Sequence, residues 1–528
     1  MNRISEYFEK ELRENGHYEE VSSLNAYVGD IHNHCAISYG YGSIESAIAF
    51  ARNQLDFFSV TGHFAWPDME DKSMMIPEDV IAYHKQGFSR LRKNWPHYKE
   101  CMKNVTTNSF IPFLSYEYHS FKYGDYTILA KDIDAELPST VDEGEEDRRL
   151  DILLSGGIDQ QDELLCTPHH IGYKTGYRGI NWQYFNENVS PLVEIASMHG
   201  CAESFETRLK YLHTMGPRCG QNTYQGGLEQ GFHFGVVGST DHHNAAPGSY
   251  GSGRTVLYAK ELTRDSIWNA LRNRDTSCAT GDPIETVLYV NGTKAGRIAN
   301  ISNGTLEIEA YVSSFDKLEK VEVIQDGKAI VGRYDFEADD SNSYSGFVSF
   351  MFGWGKKHKK AIWDIEVSIE NGTLLDSSPR IRGVDMVDPL DVPADTMAPK
   401  YSFEDGKVRL HVATDGNTTA QSDCTNGFVL DIDGNDKSVL VCKAIVEWDD
   451  NKIEKEYRFP VTLLKEEERS EYIHGFVSPA IEVGKFRQRK ECNAYIHERI
   501  NTNSNGSVYL RAYEKNGDAV YTSPVTFR

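Results

Sequence analysis

The first 280 residues repeat one pattern: a short apolar run, a side chain of a metal-binding type, a loop and usually a helix. The apolar runs are 27–31, leading to His32 and His34; DFFSVTGH, ending at His63; IPFLSYEYH, carrying Glu117; and YTILA after a turn at Gly124. ELLCTPHH follows, ending at His169 and His170, then PLVEIASMHG with His199, then FHFGVVGSTDHH with Asp241, His242 and His243. Between them the polar spacing predicts helices: a leading one over 1–22, one opened by Ser43 with Ile44, Ala47, Ile48 and Ala51 on one face, and a long one with Pro77 in its first turn. Two more are predicted at ESFETRLKYLHTM and at LTRDSIWNALRNR, the latter capped by Thr263. Residues 131–163, with the acidic run DEGEED, read as an irregular surface excursion.

Strands alternating with helices predict a largely parallel α/β sheet whose faces are covered. Such a sheet gathers side chains from distant positions at the mouth formed by its carboxyl strand ends. After residue 280 the pattern becomes apolar–polar alternation between glycine and asparagine turns, which predicts antiparallel β-sandwich structure. The Pro-containing joint MVDPLDVPADTMAP divides that part, giving expected domains over 1–280, 281–395 and 396–528. WDIEVSIENGTLLDSSPRI (363–381) and VYLRAYEKNGDAVYTSPVTF (508–527) echo each other in strand, NG turn and Ser-Pro.

Length and charge sharpen this picture. A chain of 528 residues exceeds one ordinary core. A net charge of −24 argues against nucleic acid and anionic membranes as partners. The charged N-terminus lacks the apolar core of a signal peptide, and no apolar stretch is long enough to span a bilayer. Nine cysteines without CxxC spacing read as reduced thiols, so a cytoplasmic setting is expected. Of eighteen histidines, fourteen fall within the first 243 residues, so histidine chemistry belongs to the N-terminal half. There is no G-x-S-x-G elbow, no GxxxxGK[ST] loop and no GxGxxG after a strand. Imidazoles and carboxylates together suit zinc, manganese or iron, and two or three such ions could share ligands here. Such ions activate water and clamp the oxygens of a phosphoester or of a carboxyl or carbamate ester.

In their order, DIHNH, VTGH, a strand-end Glu, PHH and GSTDHH resemble the PHP (polymerase and histidinol phosphatase) superfamily of metal-dependent hydrolases. SYEYHSFKYGD, TPHHIGY, VEIASMHGCAES, GSTDHHNAAPG and LRNRDTSCATGDPI are similar to a branch catalogued as domain-of-unknown-function family 3604. That branch is also similar to metallohydrolases that include a carbaryl hydrolase. The resemblance covers roughly residues 25–380 and implies a distorted (β/α)7-type barrel followed by the β-sandwich regions. It implies His32, His34, His63, Glu117, His169, Asp241 and His243 as metal ligands, with His242 facing away. Two positions depart from the family. Ser38-Tyr39-Gly40 stands where S-D-G is usual, and Gly124-Asp125 where G-H is usual, which puts a third metal in question.

His199 and His170 are the candidate proton donors to a leaving group. His119, on the same strand face as Glu117, and Asp125 and Arg254 are the candidate substrate contacts, and Trp66 a candidate pocket wall. His84, His97, His213 and His233 read as ordinary. The expected function is metal-dependent hydrolysis of a small molecule, with assembly into homo-oligomers an open expectation. The competing reading is a ligand- or carbohydrate-binding protein that keeps a degenerate, structural metal site.

Overall fold

A computed structural model describes residues 2–138, 145–155, 163–209, 216–299, 304–338, 342–356, 359–383, 397–415, 423–502 and 506–527. The leading segment forms three short helices, α1 (Arg3–Tyr7), α2 (Glu9–Glu14) and α3 (Tyr18–Ser22), rather than one. Gly16, at φ 80°, turns the chain between the second and third. Ile4, Phe8, Leu12 and Val21 then share one apolar cluster with Val287, Tyr289 and Tyr311, so the segment packs on a later β layer.

The chain is mixed α/β, with one large sheet and further antiparallel sheets. Strands β1 (Asn25–Asp30), β2 (Phe57–Ala65) and β3 (Ile111–Tyr118) pair in parallel, with His63 opposite Glu117. The connections are α4 (Ile44–Ala51), capped by the Ser43 side chain, and α5 (Glu78–Val105), which buries Phe88, Leu91, Trp95, Tyr98 and Met102. Leu91 also explains the glycine before His63, since a Cβ on Gly62 would lie 2.2 Å from Leu91 Cδ1.

Beyond β3 the expectation of a largely parallel sheet fails. β4 (Asp125–Ala130) runs antiparallel to both β3 and β5 (Leu164–His169). Only six residues link β3 to β4, too few for the crossover that a parallel pair needs. Gly124 makes this turn at φ 94°, with the Gly179 carbonyl packed against it. The reversed strand brings its first residue, Asp125, to the end of the sheet where β3 and β5 finish; Asp125 pairs with His169.

α6 (Glu145–Ser155) adds a helix inside the segment read as irregular, and buries Leu150, Leu153 and Leu154 against the sheet. β6 (Leu192–Ser197) pairs antiparallel with β7 (Gly200–Cys201) and parallel with β8 (Gly235–Gly238). No helix forms over 203–209, residues 210–215 lie outside the described ones, and the local helix is instead α7 (Tyr224–Glu229). β9 (Arg254–Ala259) and β10 (Thr276–Ala279) extend the other side of β1 antiparallel, joined by α8 (Arg264–Arg272), whose Thr263 cap accepts from the Ser266 N–H.

The second half is nested rather than serial. One apolar core joins Glu285–Val290 and Thr305–Ser313 with Leu318–Gln325, Asn493–Asn501 and Ser507–Glu514. A separate core, between two other antiparallel sheets, takes all its strands from the intervening chain, Ser345–Trp354 through Pro479–Val483. The pairing therefore crosses the divisions drawn at 280/281 and 395/396. Ala519–Thr522 even adds to β10, with Ser277 opposite Thr522. The joint over 386–399 lies outside the described residues up to 396.

The two echoing stretches differ in use. Residues 507–514 and 519–522 form a hairpin within one sheet. The turn at Asn371 instead carries the chain from one sheet to the facing one. A strand's partner depends on chain hundreds of residues away, which local alternation does not encode. Among the described residues no helix is long and apolar enough to cross a membrane.

Deleting residues 507–528 strips β10 of its outer partner and opens the shared core. Calorimetry is expected to show a lower melting temperature for the N-terminal half as well. An unchanged N-terminal transition would contradict this pairing.

Candidate metal centre

The strands of the large sheet and of the separate sheet formed by β6, β7 and β8 carry their named ligand-type residues to one end. His32 and His34 follow β1, His63 ends β2, Glu117 lies near the end of β3, and Asp125 begins the reversed β4. His169 ends β5, His199 follows β6, and Asp241 follows β8. All of these are at least nine-tenths buried.

Asp241 is the hub. Its Oδ1 lies 2.9 Å from His34 Nε2 and 3.4 Å from His32 Nε2, and those two nitrogens are 3.2 Å apart. Its Oδ2 lies 2.9 Å from His170 Nε2 and 3.1 Å from His199 Nε2. Glu117 reaches the other way, with Oε1 2.8 Å from His169 Nε2 and Oε2 3.3 Å from His63 Nε2. The trios His32/His34/Asp241, His34/His63/His243, His32/Glu117/His169 and His63/Glu117/His119 each bring three ligand atoms within 4.8 Å of one another. Metal–ligand bonds of about 2.0–2.2 Å place neighbouring ligand atoms roughly 3–3.5 Å apart, so these groups could hold metal ions.

Two observations support the fit. His34 Nδ1 and Glu117 Oε2 are buried and make no hydrogen bond, although an imidazole stands beside that oxygen. His170 and Asp241 also hold left-handed backbone, at φ 51° and 50°, a strain that collects at functional sites.

The electrostatics are those of a buried carboxylate–imidazole lattice. Burial works against ionising Asp241, but His32 and His199 hold its carboxyl well below the ordinary range. Glu117 is held down likewise by His119, His63 and His169. Burial pulls His32 down, yet Asp241 and Glu194 outweigh it and lift the ring to about 10. His32 and His170 beside Asp241 are held toward the imidazolium form, whereas burial pushes His63 and His169 beside Glu117 toward the neutral form, the form in which an imidazole binds a metal.

Supporting groups orient the rings. Glu194, missed in the sequence reading, places Oε2 3.0 Å from His32 Nδ1 and so directs Nε2 inward. Its signal was a charged residue inside the apolar run VEIAS. Ser38 Oγ pairs with His63 Nδ1 at 3.0 Å and accepts from the His63 backbone N–H. Tyr39 stacks on His63 with centroids 3.4 Å apart, and its hydroxyl is 3.2 Å from His119 Nε2. Ser38 and Tyr39 therefore both support rings of the cluster.

Arg178 donates Nε–H to Asp125 Oδ2 at 2.5 Å and lies 2.6 Å from His119 Nδ1, so both candidate substrate contacts on that side are tied to a fixed cation. Trp66 stands beside His119 and His84. His84 belongs to this aromatic shell, also meeting Tyr39, rather than to the ordinary histidines. His243 is the most exposed member, with Nδ1 2.9 Å from the Asp241 carbonyl. His242 turns elsewhere, its Nδ1 accepting from the Asn244 N–H, and His233 pairs with Thr526. His213 lies outside the described residues.

Arg254 requires correction as a substrate contact. It is buried, and its Nε and Nη2 donate to the Gly248 carbonyl, Nη2 also to Gln54 Oε1, so the guanidinium is anchored to the 248 loop and to Gln54.

No family model matches the chain. An uncharacterized protein of Chlamydia muridarum (strain MoPn / Nigg) is 25% identical over 240 residues, which is 41% of this chain and 38% of that protein. The chain thus spans well under half of that relative's length. A crystal structure of a two-domain protein containing a predicted PHP-like metal-dependent phosphoesterase, from Bacteroides vulgatus ATCC 8482, aligns over 83% of this chain and 96% of that one. Its TM-score is 0.30 at 12% identity, so the fold rests here on the strand pairing alone.

Replacing Glu194 by Ala frees His32 Nδ1. Metal affinity, read by chelator competition, is expected to fall ~10–100-fold with the fold retained. Unchanged affinity would remove Glu194 from the centre.

Proposed function

We propose that this chain is a metal-dependent hydrolase of PHP type. In this reading β1–β10 close as a distorted (β/α)7-type barrel, β6 lying beside β5 and β8 beside β10. The observation that carries it is the convergence of eight imidazoles and three carboxylates on one buried end: His32, His34, His63, His119, His169, His170, His199 and His243, with Glu117, Asp125 and Asp241. His32, His34, His63, Glu117, His169, Asp241 and His243 would hold one to three zinc, manganese or iron ions. Bound there, such ions acidify water and polarise a phosphoryl or carbonyl oxygen.

The remaining groups have separable tasks. Both ring nitrogens of His170 face carboxylates, Asp125 at 3.2 Å and Asp241 at 2.9 Å, which suits a fixed, orienting ring. His199 directs Nε2 to Asp241, and burial lowers its pKa and favours its neutral form, so it can take up a proton during the attack and hand it on. His199 is therefore assigned to protonate the leaving oxygen. Arg178, fixed by Asp125 and ranged 5.7 Å over Trp66, sets a positive charge at the same end and favours an anionic substrate. The substrate is a small phosphoester or carboxyl or carbamate ester, in a cytoplasmic setting.

Asp241→Asn tests this, because it removes the hub charge while keeping shape. The wild-type protein is expected to bind at least one metal per chain and to hydrolyse members of a chromogenic phosphoester and ester panel supplied with Mn²⁺ or Zn²⁺. The variant should lose metal and ~100-fold or more in kcat/KM. A wild-type protein with less than one metal per chain and silent throughout the panel would defeat the proposal. Retained turnover without bound metal would defeat it equally.

A further inference from the structure

A second trio of ligand-type side chains converges on the outer face, where α4 meets α5. Glu45 lies in the first turn of α4. His97 and Cys101 stand four residues apart on α5, one turn above each other on the same face. His97 Nε2 is 2.9 Å from Glu45 Oε1. Cys101 Sγ is 3.6 Å from His97 Nε2 and 3.8 Å from Glu45 Oε1.

These lengths have a simple reading. A tetrahedral zinc ion with a bond of about 2.3 Å to sulfur and about 2.0–2.1 Å to nitrogen and oxygen separates its ligand atoms by roughly 3.3–3.6 Å. The trio already has close to the edges of one face of that tetrahedron, before any ion draws the groups together. The fourth vertex faces water, since the side chains of His97 and Glu45 are 57% and 59% exposed. Thiolate, imidazole and carboxylate together select a thiophilic ion over calcium or magnesium.

We propose that Glu45, His97 and Cys101 form a separate binding site for a thiophilic divalent cation of the zinc class, with water as fourth ligand. Burial and the adjacent Glu45 carboxylate push the Cys101 thiol up to about 11, so the thiol keeps its proton until a metal displaces it, and binding releases that proton. The bound ion staples two helices. α4 follows the loop that brings Ser38 and Tyr39 to His63, and α5 packs Gly87 directly on the Tyr39 ring. Occupancy therefore stiffens the support behind His63 from outside the central cluster.

Cobalt(II) is the probe, because the central cluster offers only nitrogen and oxygen donors and produces no thiolate-to-cobalt absorption. Titrating the full-length protein is expected to raise a near-ultraviolet thiolate band that saturates at one equivalent and is bleached by zinc. Cys101→Ser should lack that band while keeping the visible absorption of cobalt in the central cluster. His97→Ala and Glu45→Gln should need roughly tenfold more cobalt or beyond. Melting curves of the metal-free variants check that each is folded. Zinc should also slow alkylation of Cys101, read by peptide mass spectrometry, in wild type and not in His97→Ala. No band in wild type, a band that survives Cys101→Ser, or alkylation indifferent to zinc would each overturn the site.

Discussion

A carboxylate taken wholly out of water costs several kcal/mol unless opposite charge and hydrogen bonds meet it. Asp241 is such a group, and the N-terminal half is arranged to meet it. His32, His34, His170 and His199 approach it from β1, β5 and β6, which forces those strand ends to a common point. A second buried carboxylate, Asp30, makes that point rigid. It accepts the backbone N–H groups of His32, Thr240 and Gly248 and the Thr240 hydroxyl, so the end of β1 and the loop after β8 are clamped together. The clamp holds the two arms of the cluster at fixed separation, which a loop alone would not do.

The ligand-type residues were legible because each sits at or just beyond an apolar run, and such runs end where a sheet meets solvent or a site. The direction of the strands was not legible. Asp125 reaches the cluster only because β4 reverses, and the six-residue link that forces the reversal looks like any short turn. Glu194 lay hidden for another reason. It stands within a strand, so no strand end marked it, and only its charge within apolar neighbours set it apart. Arg254 was a candidate for a substrate anion, but its buried Nε and Nη2 bond the Gly248 carbonyl and the Gln54 side chain. Of the second half, antiparallel structure was readable from alternation, but not which strands share a core.

The nested half supports the cluster from outside. Ile381 accepts the Tyr250 N–H, and the Gly383 N–H donates to Ser249 Oγ, so the inner sheet pair rests on the loop that carries Asp241 and His243. Tyr250 also donates to Asp518 Oδ2 at 2.7 Å, and Arg380 pairs with Asp282 at 2.9 Å, both buried. One loop is thus gripped by strands from both sheet pairs, and its geometry depends on residues far along the chain.

That dependence has a meaning for how the protein is made. Synthesis runs from the N-terminus, so the strands that bear the histidines emerge long before their last neighbour. Thr276 and Ser523, joined side chain to side chain, are 247 residues apart. At translation rates of roughly 5–20 residues per second, β10 waits on the order of ten seconds or more as an uncovered edge. During that interval the nascent chain offers other chains a row of unpaired backbone groups, and shielding by a ribosome-associated chaperone would act on this strand first.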